Sequence, residues 1–274
     1  MKKQCNIIGW VALTSLALSS CLKPEMSRND ISGVANGKLD FAVSQSNGYV
    51  ILTLNNNNAV PYWEVKSNPD MSLIVSGNNR VDTVVLPFPG DYWVKCYGYF
   101  NSGFVVDSQK FNVAQNSPAY FSDPRWNFLT NGPTGKTWTL DLTSPLGFYG
   151  TTWPDPKGSD TWTYIPQYSD ATWTMPSRDY GTMTFDLNGG FHYSKTSLDA
   201  LGAATTTSGT FTLDLKGGTL SINGSDLLWG GDYATAVKSM SLSLKVIKIA
   251  QDSLIIAPYR VVSPCWLGFA YKPK

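Results

Sequence analysis

Short runs that alternate apolar and polar residues, joined by tight turns, recur through the second half of this chain. Residues 182–187 turn at Asn-Gly-Gly into residues 191–193, and residues 209–215 turn at Lys-Gly-Gly into residues 219–222. A period of two gives each run one apolar face, and Asn-Gly and Gly-Gly turns favour hairpins. Such a pattern buries its apolar residues in sheets and not in helices, so it predicts an all-β fold.

Composition supports strands and excludes one class of partner. Glutamate occurs only at Glu25 and Glu64, whereas glycine, threonine, serine and aromatic residues are plentiful. The formal net charge of the 274 residues is +1, and no basic stripe is present. Nucleic acid is therefore not expected as a partner.

The N-terminus has the features of an export signal. Met1-Lys-Lys precedes an apolar run at residues 7–18, which is too short to span a membrane as a helix. The run ends in Leu-Ser-Ser-Cys21, which resembles the bacterial lipobox. That resemblance implies a signal peptide at residues 1–21, a lipid anchor on Cys21 and a tether at residues 22–36. An ordinary cleavage site with an incidental cysteine is the alternative.

Residues 37–115 carry seven short runs with turn residues between them, which is typical of a β-sandwich. The sequence Pro-Phe-Pro-Gly-Asp-Tyr-Trp-Val at residues 87–94 resembles a strand of PKD-type immunoglobulin-like domains, and Trp63 lies where that family has a core tryptophan. We predict that Tyr92, Val94 and Cys96 face the core. The opposite face carries Trp93, Lys95, Tyr97 and Tyr99, and we expect it to contact the next domain; a minor ligand surface is the alternative.

Residues 116–274 form the second predicted domain, an antiparallel sandwich or barrel, two forms that the pattern does not separate. Asp123 and Pro124 predict the start of a short helix. Gly-Lys-x-Trp-x-Leu at residues 135–140 and the later hairpin signals resemble lipocalin-like lipoprotein domains of Bacteroidetes. In order, the two domains resemble surface glycan-binding lipoproteins of that group.

An aromatic insertion at residues 145–181 interrupts the second domain. Flat rings among hydrogen-bonding side chains suit sugars, because rings stack on the apolar face of a pyranose and polar groups meet its hydroxyls. The alternative is that the rings only fill a satellite core. The residues predicted to bind a ligand are Trp153, Trp162, Tyr164, Trp173, Tyr149, Tyr168, Asp155, Asp160 and Gln167.

Catalytic and metal-binding residues are few. After residue 21 the chain has one histidine, His192, and two cysteines, Cys96 and Cys265, so neither a nucleophile–histidine device nor a zinc site is expected. A disulfide between these cysteines is left open. Calcium at Asp155 and Asp160 is also left open, although no EF-hand-like spacing is present. No cofactor is expected.

The sequence as a whole predicts a non-catalytic, lipid-anchored envelope protein that binds oligo- or polysaccharide. Its resemblances imply the outer membrane, the cell surface and a glycan-uptake machinery as its setting. Two alternatives stay open: a structural or protein-interaction lipoprotein, and a glycoside hydrolase with two of the aspartates of the insertion as its carboxylates.

Overall fold

A computed structural model describes residues 39–172 and 175–274 of the chain. The predicted signal peptide, the lipidation site Cys21, the tether and Trp173 lie outside the described residues. Within the described ranges, no helix combines the length and apolar character needed to cross a membrane.

Seven antiparallel strands build the first part of the molecule. They are β1 Phe41–Ser46, β2 Tyr49–Leu54, β3 Val60–Ser67, β4 Leu73–Gly77, β5 Val81–Val84, β6 Gly90–Phe100 and β7 Gly103–Val113. Sheet β1-β2-β5 packs on sheet β4-β3-β6-β7, and the two share one apolar core. This is the expected immunoglobulin-like sandwich.

The core of the sandwich confirms the alternation read from the sequence. Trp63, Tyr92, Val94 and Cys96 are all buried, and the Trp63 indole donates a 2.8 Å hydrogen bond to the carbonyl of Asn79. Burial raises the pKa of the Cys96 thiol to about 12, so the thiol stays protonated at neutral pH.

The outer face of β6 packs within its own sheet. Tyr97 packs on Tyr62 with ring centroids 5.8 Å apart, and Tyr99 packs on Phe104 at 5.9 Å. Among the described residues, Phe88 makes ring contacts to the second part of the molecule. The expected contact between the outer face of β6 and that part stays a prediction.

The described residues of the second part, 116–172 and 175–274, contain eleven strands and two short α-helices. The helices are α1 Pro124–Thr130 and α2 Tyr168–Ala171. The strands are β8 Lys136–Leu140, β9 Leu146–Tyr149, β10 Thr163–Tyr164, β11 Gly181–Asp186, β12 His192–Leu198, β13 Ala204–Asp214, β14 Thr219–Asn223, β15 Leu244–Ile249, β16 Leu254–Ala257, β17 Tyr259–Arg260 and β18 Cys265–Pro273.

Eight of these strands close into a barrel, which decides between the two forms left open by the sequence. Antiparallel pairing runs in the order β18-β16-β15-β14-β13-β12-β11-β8, and β8 pairs back onto β18. Tyr271 closes the ring, since it lies opposite Leu254 on one side and Leu140 on the other. Large apolar and aromatic side chains fill the interior.

Helix α1 covers one end of the barrel. As predicted, Asp123 caps it, accepting a 2.9 Å hydrogen bond from the backbone N–H of Arg125. The helix ends at Asn131, whose φ of 52° is left-handed. The buried indole of Trp138 donates a 2.9 Å bond to the carbonyl of Leu129 and so ties β8 to the helix.

An aromatic cluster joins the sandwich to the same end of the barrel. Phe88 packs against Phe191 with ring centroids 4.7 Å apart and against Phe121 at 5.7 Å. The Asn116 side chain donates to the carbonyl of Leu187, and Ser117 donates to the carbonyl of Gly48. The segment after β7 therefore bonds to both parts, and the predicted boundary at residues 115 and 116 stays a prediction.

We expect Trp138→Phe to lower the free energy of unfolding by about 1–3 kcal/mol, because the buried carbonyl of Leu129 would lose its donor. Equilibrium urea unfolding of the full chain measures this. Tyr164→Phe is the control, since its ring is exposed and the change should stay within about 0.5 kcal/mol. Equal effects of the two substitutions would contradict the assigned role of Trp138.

Candidate functional site

The predicted insertion begins later than expected, because its first residues form strand β9, which pairs with the barrel strand β18. Strand β9 is buried and pairs with the first half of β18, with Tyr149 opposite Trp266 and Leu146 opposite Phe269. After β9 the chain turns away from the sheet and comes back as β10, which pairs with β9. The segment after β9 consists largely of turns, as its many prolines and glycines predicted.

The β9–β10 hairpin presents two exposed rings on one face. Tyr164 lies opposite Phe148 in the ladder, and directly opposed residues project to the same side of a sheet. Trp162 lies two residues before Tyr164 and therefore on the same face. The exposed fractions are 46% for Trp162 and 54% for Tyr164. Gly150 allows this close hairpin, since a Cβ there would lie 2.2 Å from the carbonyl oxygen of Asp160.

These rings form one wall of an open depression of about 450 Å³, here called the aromatic groove. Phe148 is its floor: its ring lies 6.2 Å from that of Tyr164 at an interplanar angle of 27°, and 5.4 Å from that of Tyr233 at 87°. The groove is lined by Phe148, Trp162, Tyr164, Tyr233, Arg260, Ser263, Pro264 and Cys265.

Arg260 supplies the positive charge of the groove. Its guanidinium carbon lies 5.4 Å from the centroid of the Tyr233 ring. Its buried Nε has no hydrogen-bond partner among the described residues. A buried donor without a partner costs about 1–3 kcal/mol.

Tyr149 and Trp153 lie on the other face of β9. Tyr149 is only 4% exposed, and its ring packs edge-on against Trp153 at 5.1 Å. The Lys245 ammonium donates to the Trp153 carbonyl and lies 5.0 Å from the Trp266 ring. The predicted binding residues therefore lie on two different surfaces, and the Tyr149 ring is too deeply buried to contact a ligand.

Of the polar residues predicted to bind a ligand, Asp155 and Asp160 accept hydrogen bonds within the turns of the insertion. The backbone N–H of Lys157 donates to Asp155 at 2.9 Å, and both the N–H and the hydroxyl of Thr151 donate to Asp160 at 2.7 Å. Gln167 is exposed at the start of α2, and Tyr168 donates to the carbonyl of Met175 at 3.2 Å. None of these residues lines the aromatic groove.

Six of the eight groove residues were not among the predicted binding residues, and Tyr233 and Arg260 come from segments that the prediction did not consider. Tyr233 lies in a 3₁₀ helix at Asp232–Ala236, and Arg260 ends β17, each far along the chain from the insertion. Neither has a local motif that marks it. Long-range pairing brings them to the groove: β17 pairs with β18, β18 pairs with β9, and Val237, just after the 3₁₀ helix, bridges to Arg260.

The described residues give little support for a metal site or for a histidine with a catalytic role. They contain no group of three or more His, Cys, Asp or Glu side chains placed to hold a metal. Exposed His192 contacts Asp186 at 3.1 Å, next to a hairpin turn. Cys96 and Cys265 are both free and buried, so the disulfide left open by the sequence is not formed.

Neither a scan against models of protein families nor a search of curated proteins returns a match to this chain. The class of protein is therefore defined by its fold. The chain is all-β, with an immunoglobulin-like sandwich and a closed eight-stranded antiparallel barrel.

Thr151 lowers the pKa of the Asp160 carboxyl, first through its hydroxyl and second through its backbone N–H. We expect Thr151→Val to raise this pKa towards its ordinary value. The pKa of Asp160 is lower in the folded chain than in the unfolded chain. The carboxylate therefore contributes its full stabilisation above the unfolded-state pKa, and this stabilisation is lost as the pH falls through the folded-state pKa. An NMR titration of the carboxyl carbon measures the shift. An unchanged pKa would show that the Thr151 hydroxyl does not lower the pKa of Asp160.

Proposed function

We propose that this protein binds oligo- or polysaccharide at the aromatic groove without chemically changing it. The observation that carries the proposal is the pair of exposed rings, Trp162 and Tyr164, side by side on a hairpin held by the barrel wall. Large exposed apolar surfaces of monomeric proteins are commonly interaction sites.

The groove has the two kinds of surface that a sugar requires. The ring faces of Trp162 and Tyr164 supply apolar area for the C–H face of a pyranose. Arg260 and Ser263, which share the lining, supply polar groups for its hydroxyls. Stacking of bases on aromatic rings is worth about 1–3 kcal/mol per ring. Two sugar-stacking rings of similar strength, together with hydrogen bonds, would give an affinity on the order of micromolar.

The lining of the groove supports binding without hydrolysis. Glycoside hydrolysis ordinarily uses two carboxylates across the scissile bond, and the aromatic groove has none among its lining residues. Asp155 and Asp160, which lie in the same insertion as Trp162 and Tyr164, accept hydrogen bonds from the backbone of their own turns. Oligosaccharide released during binding would contradict this part of the proposal.

In the proposed setting, lipid at Cys21 anchors the chain to the outer membrane at the cell surface, where a glycan-uptake machinery would receive the captured glycan. This part rests on the lipobox-like sequence and on the resemblances in domain order. Labelling of cells with a radioactive fatty acid, with Cys21→Ser as the control, tests the anchor. Loss of label in the Cys21→Ser chain is the expected result.

We expect Trp162→Ala and Tyr164→Ala each to weaken glycan binding by roughly 5- to 150-fold, the equivalent of about 1–3 kcal/mol per ring. Affinity electrophoresis of the full chain measures this in native gels containing laminarin, xyloglucan, galactomannan, pullulan or starch. Tyr99→Ala is the matched control, because its ring is similarly exposed but lies on the sandwich. Its mobility should equal that of the unchanged protein.

Two results would overturn the assignment to the groove. Retardation lost with Trp153→Ala but kept with Trp162→Ala would place the site on the opposite face of β9. No retardation by any of the five polysaccharides would favour the structural or protein-interaction alternative.

A further inference from the structure

A second depression lies at the end of the barrel opposite α1. Its walls come from the segment before β11, the end of β12 and the loop after β14, which all meet at this end. Its volume is about 590 Å³, and we call it the barrel-end pocket. The polar and aromatic side chains that line it include Arg178, Lys195, Asp226, Trp229, Asp232 and Thr235.

The loop after β14 is held firmly by the barrel core. The buried hydroxyl of Tyr193 donates a 2.9 Å bond to the carbonyl of Asp226, and that of Tyr271 donates to the carbonyl of Leu228. Burial raises the pKa of both phenols, so both keep the protons that they donate. The side chains of this loop are therefore positioned before a ligand arrives.

One ring and one ion pair define the pocket wall. Trp229 is 38% exposed, and its indole N–H donates a 3.2 Å bond to Asp226, which fixes the ring by its edge. The Lys195 ammonium, 9% exposed, donates to the other oxygen of the same carboxylate. An ammonium carries three donors, and the Asp226 bond uses one of them.

Arg178 is fixed on the opposite side. Its guanidinium carbon lies 4.0 Å from the centroid of the Tyr180 ring, and its Nη1 donates to the carbonyls of Leu198 and Asp199 at 2.7 and 2.8 Å. Gly230 makes room for that ring, because a Cβ there would lie 2.3 Å from the nearest Tyr180 carbon.

The pocket has no net formal charge. Arg178 and Lys195 carry two positive charges, and Asp226 and Asp232 carry two negative charges. A charged ligand would leave one sign uncompensated in a partly desolvated site. A neutral, polyhydroxylated ring is matched better, since it offers an apolar face to Trp229 and hydroxyls to donors and acceptors of both kinds.

The barrel-end pocket and the aromatic groove share one short segment. In the 3₁₀ helix at Asp232–Ala236, residues three apart project to the same side. Asp232 and Thr235 line the barrel-end pocket, whereas Tyr233, the neighbour of Asp232, lines the aromatic groove. Adjacent Cα atoms are about 3.8 Å apart. The two depressions are therefore neighbours on either side of a single helical turn.

We propose that the barrel-end pocket is a second saccharide subsite and that the ligand is a neutral oligosaccharide long enough to occupy both depressions across the 3₁₀ helix. This inference rests on the glycan binding proposed above and adds two properties to it: a requirement for chain length and a requirement for neutrality.

Titration calorimetry tests the inference with the full chain and oligosaccharide ladders. The ladders come from partial acid hydrolysis of the five gel polysaccharides. We expect affinity to rise with chain length and then to level off. Trp229→Ala should weaken binding of the longest chains by roughly 5-fold or more, for a stacking loss of about 1 kcal/mol, and leave the shortest binding chains unchanged. Trp162→Ala should weaken binding of all lengths.

Trp229→Phe and Tyr99→Ala are the controls. Trp229→Phe keeps a stacking ring and should restore most of the affinity for long chains, and Tyr99→Ala should match the unchanged protein. Long chains that bind equally well to Trp229→Ala would overturn the subsite but leave the groove intact. Oligogalacturonates that bind more tightly than the neutral ladders would overturn neutrality. No binding of any ladder by the unchanged protein would overturn the proposed function itself.

Discussion

Closure of the barrel by β18 is the constraint on which the rest of the structure depends. This strand pairs with β16 along one edge, and along the other it pairs first with β9 and then with β8. Antiparallel ladders satisfy backbone groups that an open edge would leave exposed. The same strand also fixes both candidate binding regions. Its first half holds the β9–β10 hairpin, and the hydroxyl of Tyr271 holds the loop after β14.

The two ends of the barrel differ in structure. Helix α1 and the aromatic cluster around Phe191 occupy the end that meets the sandwich. The barrel-end pocket opens at the other end, and the aromatic groove adjoins it across the 3₁₀ helix at Asp232–Ala236. In the proposed function, a lipid anchor before the sandwich would therefore leave both depressions on the side of the barrel away from the sandwich.

The aromatic residues of the insertion show why density of rings alone does not define a site. Trp162 and Tyr164 are exposed together, whereas Tyr149 is buried on the opposite face and Trp153 packs against it. The difference follows from register, because alternate residues of a strand project to opposite faces. The polar residues nearest the rings are used by turns, and the partners beside the rings, Arg260 and Tyr233, come from distant segments.

The sequence by itself determined the local features of this protein: strands from the period of two, hairpins from Asn-Gly and Gly-Gly, the start of α1 from Asp123 and Pro124, and the buried face of β6 from its alternation. Each depends on residues near one another in the chain. Tertiary structure alone decided that the second sheet closes into a barrel, that the insertion divides between two faces of β9, and that Tyr233 and Arg260 line one groove with Phe148. These outcomes depend on pairings such as β8 with β18, whose partners are more than a hundred residues apart, and no local pattern encodes such a register.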